Sequence, residues 1–136
     1  VGHTLHQGSR LLAEVYPHPA MIRLFGLDRI VKYKRGPVAR QRREFRRLQA
    51  LIGNSLGTRF PELAVNAAVT QLLSAPRSKE AEDCLDAFFC ALVGLHHWRH
   101  RGRRTEILGD VETGFLLVPR EDAHGEVKAV GDEVTL

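Results

Sequence analysis

Apolar positions recur with two periods along the chain, and each period predicts a kind of element. Over residues 37–52, Val38, Gln41, Phe45, Leu48 and Ile52 fall on one helical face, while Arg40, Arg42, Arg43, Arg46 and Arg47 occupy much of the rest. That spacing predicts an amphipathic helix, stopped by Gly53. A weaker helix is expected over residues 62–74, after Pro61, burying Leu63, Val69, Leu72 and Leu73. The longest helix is expected over residues 78–101, with Leu85, Phe88, Leu92 and Leu95 as its core stripe.

Shorter apolar runs predict the strands. Residues 11–16, LLAEVY, read as a buried strand stopped by Pro17 and interrupted by one acid, Glu14. Pro17 and Pro19 bracket His18, and Pro19 then opens a short helix through Ala20, Met21, Leu24 and Phe25 that ends at Gly26. Two strand-like pieces, EILGD and ETGFLLVP, follow Gly102, with Asp110 and Glu112 in the turn between them. Residues 1–10 read as a loop, and the polar tail from Arg120 as a flexible end. One domain over residues 1–136 is the natural division, and no internal repeat is found.

Composition narrows the setting. The chain is 43% hydrophobic and 26% charged, as expected of a globular protein with a real core. Its net charge is +4 and its pI about 9.5, which favours a polyanionic partner. Cys84 and Cys90 point to different sides of the expected helix, which argues for two thiols in a reducing compartment rather than a disulfide. No apolar run reaches membrane-spanning length, so a cytoplasmic protein is expected. The sequence opens with Val1 instead of Met, which suggests a piece of something longer.

Candidate chemistry lies at the head of the long helix. Ser78 suits an N-cap, and Glu80, Glu82 and Asp83 suit the positive end of the helix dipole. Asp86 lies a turn further in, on the side of Asp83, and capping does not account for it. Ala87, Cys90, Ala91 and Gly94 continue that side as small residues able to admit a closely packed sheet. Glu14 is either an edge-strand residue facing solvent or a metal or acid/base carboxylate. Lys32, Lys34 and Arg35, in the stretch KYKRG, read most simply as a solvent-exposed connection, with nucleic-acid contact as the alternative. The arginines of residues 40–47 have the same two readings. His96 and His100 have the spacing of a metal pair, but no acidic third ligand lies near them in sequence and no HExxH pattern is present, so cations at a helix C-terminus explain them better. His3 and His6 carry less still.

Three blocks, EVYPHPAMIRLFGL with KYKRG, EDCLDAFFCAL and GDVETGFLLVP, resemble the domain-of-unknown-function family 429, whose members are described as nucleases of the RNase H-like fold. The acidic block is also similar to the last helix of bacterial Holliday-junction resolvases of the RuvC type, whose DxxDA pattern corresponds here to Asp83, Asp86 and Ala87. The resemblance implies an α/β, RNase H-like fold, incomplete here because the acid-bearing first strand of full-length relatives has no match before Leu11. It implies Glu14, Asp83 and Asp86 as catalytic ligands for Mg²⁺ or Mn²⁺, and phosphodiester hydrolysis by two-metal chemistry. A missing N-terminal segment or a second copy would then cover the edge of the 11–16 strand. Two other readings stay open. One is a non-catalytic module that binds nucleic acid or a protein through its basic helices; the other is a structural subunit that pairs by its sheet edge.

Overall fold

A computed structural model describes residues 12–120 of the chain. The elements are, in order, α1 (Pro17–Phe25), α2 (Val38–Thr58), α3 (Ala67–Ser74), α4 (Lys79–Arg99), β1 (Thr105–Asp110) and β2 (Gly114–Pro119). Among the described residues the arrangement is mixed α/β, with four helices and one antiparallel hairpin. The readings for residues 1–10, including His3 and His6, for Leu11 and for the tail beyond Arg120 lie outside the described residues.

Helix α4 is the axis of the packing, touching α1, α2, α3 and β2. Ser78 caps it, its side chain accepting a bond from the Ala81 amide at 3.0 Å, and Glu80 and Glu82 occupy the first turn. Its deepest residues are Leu85, Phe89, Leu92 and Val93, whereas Phe88 and Leu95 are only half-buried against the core. The buried stripe is thus broader than the one expected from the sequence, because α4 has neighbours on several sides. Ala87, Ala91 and Gly94 are exposed and Cys90 is half-buried, so among the described residues no sheet packs closely along the small-residue side.

Two helix boundaries depart from expectation, each for a local reason. Helix α1 begins at Pro17 rather than Pro19, since both prolines fit a first turn whose amides need no helical partner. It ends at Gly26, whose φ of 62° gives a left-handed cap with its amide on the Ile22 carbonyl. Helix α2 runs through Gly53 to Thr58, because its core face continues from Ile52 to Ser55 and Leu56. Gly53 lies against α3, where an added Cβ would stand 3.7 Å from Leu73 Cδ1.

Helix α3 is shorter than expected. Asn66 caps it by accepting from the Val69 amide at 3.0 Å, which leaves Leu63 in a turn closed on Phe60. Gln49 of α2 finishes its other end, donating to the Leu72 and Ala75 carbonyls at 3.1 and 2.9 Å. These bonds satisfy carbonyls that a helix end leaves without partners.

The hairpin matches its sequence signal. Thr105 faces Pro119 and Asp110 faces Gly114, and Asp110 Oδ1 accepts from the amides of Glu112 and Thr113 in the turn. The strand expected over residues 11–16 is reduced to one parallel bridge, in which the Glu14 carbonyl accepts from the Leu117 amide at 2.9 Å. Leu12 is 94% exposed beside it. Among the described residues, no helix is long and apolar enough to cross a membrane.

Candidate functional site

The three acids singled out in the sequence go to different places. Asp86 faces inward, where its Oδ1 accepts from the Tyr33 hydroxyl and its Oδ2 from Lys34 Nζ, each at 2.5 Å. Asp83 faces solvent and pairs with Lys79 one turn earlier at 2.6 Å, an exposed helix-surface pair. Glu14 is exposed, tied to β2 only by its backbone. Among the described residues no group of three His, Cys, Asp or Glu side chains is disposed to hold a metal ion. Both oxygens of Asp86 are engaged by an ammonium and a hydroxyl, so a divalent cation reaches this carboxylate only in place of Lys34.

The segment around Tyr33 is not the solvent-exposed connection expected from its lysines. Val31 and Tyr33 are fully buried while Lys32 and Lys34 are exposed, a strand-like alternation that fixes one side of the segment to the core. The Tyr33 ring lies 5.6 Å from that of His18 and 6.4 Å from that of Phe45. Burial, then the bond to Asp86 and its charge, raises the Tyr33 pKa well above that of an ordinary phenol, so the group stays a donor.

A second set of bonds fastens the same segment. Arg77, just before α4, donates from Nε to the Tyr33 carbonyl at 3.1 Å and forms an ion pair through Nη2 with the buried Glu82 at 2.6 Å. Glu82 therefore acts as more than a dipole-compensating residue. Two turns of α4 hold the KYKR loop through Glu82 and Asp86.

Above this clamp lies a cleft of about 450 Å³, lined by Tyr16, His18, Lys32, Lys34, Arg35 and Arg40 over a floor of Ile30 and Val31. Among the described residues no carboxylate lines it. Lys34 is matched by Asp86, but Lys32, Arg35 and Arg40 have no ion-pair partner among the described residues. Burial, reinforced by the Lys34 and Arg35 charges and opposed by Asp86, lowers the pKa of His18 and favours its neutral form.

The cationic surface continues along α2. Arg42, Arg43 and Arg46 are exposed and, among the described residues, unpaired. Arg42 and Arg46 also line a depression of about 830 Å³ between α2 and α3, with Arg77. Arg47 differs, because it joins the buried Glu44 at 3.5 Å, where Arg29 also approaches at 3.9 Å. It is held by that carboxylate, unlike its neighbours.

His96 proves to be a satisfied core histidine. Its Nε2 donates to the Arg104 carbonyl at 3.0 Å and closes the turn from α4 into the hairpin, although its ring lies 4.7 Å from that of His100. Sequence reasoning missed His18, Tyr33, Arg77 and Glu82 as parts of the site. The alternation of Val31, Lys32, Tyr33 and Lys34 was the signal that could have revealed Tyr33.

The sequence profile of one family, described as Protein of unknown function (DUF429), matches residues 1–113, and the chain belongs to that family. No curated protein and no solved structure matches it.

Proposed function

We propose that this member of the DUF429 family is a nucleic-acid-binding module that grips the phosphate backbone with the loop of residues 32–36 and the first half of α2. One observation carries the reading. Lys32, Arg35, Arg40, Arg42, Arg43 and Arg46, on two consecutive segments, have no carboxylate partner among the described residues. Unpaired cations on neighbouring turns suit evenly spaced phosphates, and the net charge of +4 adds long-range attraction. The aromatic residue among the arginines of α2, Phe45, is buried in the core and offers no stacking face, so contact there positions the strand and does not read its bases. Two free thiols, Cys84 and Cys90, suit a reducing cytoplasm as the setting.

The test is a salt series of binding to a labelled oligonucleotide duplex. Affinity falls linearly on a log–log plot, and Arg42→Gln/Arg43→Gln/Arg46→Gln makes the slope shallower by about 2 to 3, as expected for the loss of about three phosphate contacts. EDTA leaves the curves unchanged. Binding that ignores salt would sink the reading.

A second reading, metal-dependent phosphodiester cleavage on an RNase H-like fold, is favoured by the position of Asp86. Through Lys34 this carboxylate adjoins the cationic cleft, so an acid and phosphate-binding groups share one region. The parallel bridge of Glu14 beside an antiparallel hairpin also suits such a fold. A Mn²⁺ titration decides it: saturable binding that disappears in Asp86→Asn supports the reading, and identical titrations of both proteins reject it.

A further inference from the structure

We propose that the cleft beside His18 is a phosphomonoester site, taking the terminal phosphate of a nucleic-acid strand or of a free nucleotide. The proposal rests on the nucleic-acid reading above and gives that surface an end. A cleft of about 450 Å³ falls within the usual range for a single small ligand, so it suits one nucleotide better than a strand passing through. Its charge is also concentrated. With Lys34 matched by Asp86, Lys32, Arg35 and Arg40 line the cleft with no carboxylate from the described residues beside them, an excess that suits the dianion of a phosphomonoester better than the single charge of a diester.

Two polar atoms of the lining residues lack partners. Arg40 Nε and His18 Nδ1 are both buried without a hydrogen bond among the described residues. A buried donor left without an acceptor costs roughly 1–3 kcal/mol, a cost that phosphate oxygens would remove. The placement of Arg40 is specific. Its guanidinium lies directly over Gly36, where a Cβ would come within 1.9 Å of Nη2, and Gly36 holds a φ of 99° that a side chain would strain. Backbone and side chain are thus fitted so that this guanidinium lies against the loop, at the cleft.

The rim offers a surface for the rest of the nucleotide. Tyr16 is 53% exposed and meets the His18 ring edge-on at 6.0 Å, leaving ring area on which a base can stack. From Arg40 the stripe continues to Arg43 one turn along α2, so a strand whose end sits in the cleft has its next phosphates near the unpaired arginines.

The test compares three forms of one short fluorescein-labelled oligonucleotide, carrying a 5′-phosphate, a 3′-phosphate or hydroxyls at both ends. One phosphorylated form is expected to bind about tenfold or more tightly than the hydroxyl form, the scale of one or two charge-assisted hydrogen bonds. Arg40→Ala abolishes that ratio, whereas Arg43→Ala weakens every form and preserves it. Should Arg40→Ala fail to fold, Arg35→Ala, at an exposed position, serves the same purpose. Competition by a nucleoside monophosphate against the preferred oligonucleotide places a free nucleotide in the same cleft, and its failure to compete confines the site to strand ends. Equal binding of all three oligonucleotides overturns this proposal and leaves the backbone-binding reading standing; binding of none overturns both.

Discussion

The hydroxyl of Tyr33 donates to Asp86 Oδ1 at 2.5 Å, across 53 residues of sequence, and the same carboxylate takes Lys34 on its other oxygen. One acid thereby fixes a buried aromatic residue and an exposed cation that are neighbours in the chain. Asp86→Ala is expected to cost most, since it strands a buried hydroxyl and releases Lys34. Tyr33→Phe is expected to cost about 1.5–3 kcal/mol for a hydrogen bond to a charged group. Asp86→Asn, which keeps an acceptor for Tyr33, costs least. Thermal melts check the order, at about 4 °C per kcal/mol for a chain of 136 residues. If Asp86→Ala melts with the wild type, the clamp has no energetic role.

Arg77 and Glu82 form a pair that is largely withdrawn from solvent. Removing either partner is expected to cost about 3 kcal/mol, because the survivor is left charged and poorly hydrated. Arg77→Ala/Glu82→Ala then costs little more than either single change. Urea unfolding of the three variants measures this coupling, and strict additivity would show that the two residues act separately.

Gly26 and Gly36 both adopt positive φ but with different surroundings. Gly26→Ala meets no atom within 4 Å, so it is expected to cost about 1–2 kcal/mol of backbone strain without altering ligand binding. Gly36→Ala strains the backbone and also pushes against the Arg40 guanidinium. It is expected to reduce the preference for a phosphorylated end as well as the melting temperature. Parallel melts and binding curves separate the two effects.

Burial lowers the pKa of His96 below its ordinary value of 6.5, with smaller opposition from the Arg104 carbonyl. Unfolding therefore takes up a proton over the range between the folded and unfolded values. The stability this residue contributes is complete above about pH 6.5 and is lost as pH falls through that range towards the lowered folded value. His18 is shifted in the same direction and adds to the same slope. Denaturation curves taken from neutral pH downward are expected to show the loss, and His96→Gln, which keeps a donor for Arg104, is expected to reduce it. An equal slope in that variant would remove His96 from the account.

The helices and the hairpin were legible because their signals are local. Ser78, Gly26 and the turn at Asp110 act within a few residues of themselves, and each does what its residue type dictates. The end of α2 was not legible, because a glycine reads as a stop only when nothing beyond it has a core to join; here Leu56 does. The site was half visible. Asp86 stands out in the sequence as an acid that capping does not explain, yet its partners Tyr33 and Lys34 stand far away in the chain. A carboxylate awaiting a metal and one already holding an ammonium look the same until the chain is folded. The lysines hid Tyr33, since charge drew attention to the exposed half of an alternating segment.

The fastening of residues 33 and 34 to α4 by Asp86, and of Tyr33 by Arg77 and Glu82, bears on the kinetics of recognition. A loop tied at its carbonyl, its hydroxyl and its ammonium has surrendered its conformational freedom during folding, so an incoming phosphate meets a rigid receptor and association carries little ordering entropy. The same ties make the amides of this loop exchange with solvent in step with the first turns of α4, as one cooperative unit. Any change that frays the start of that helix, however remote from the arginines, is felt as a lost binding surface.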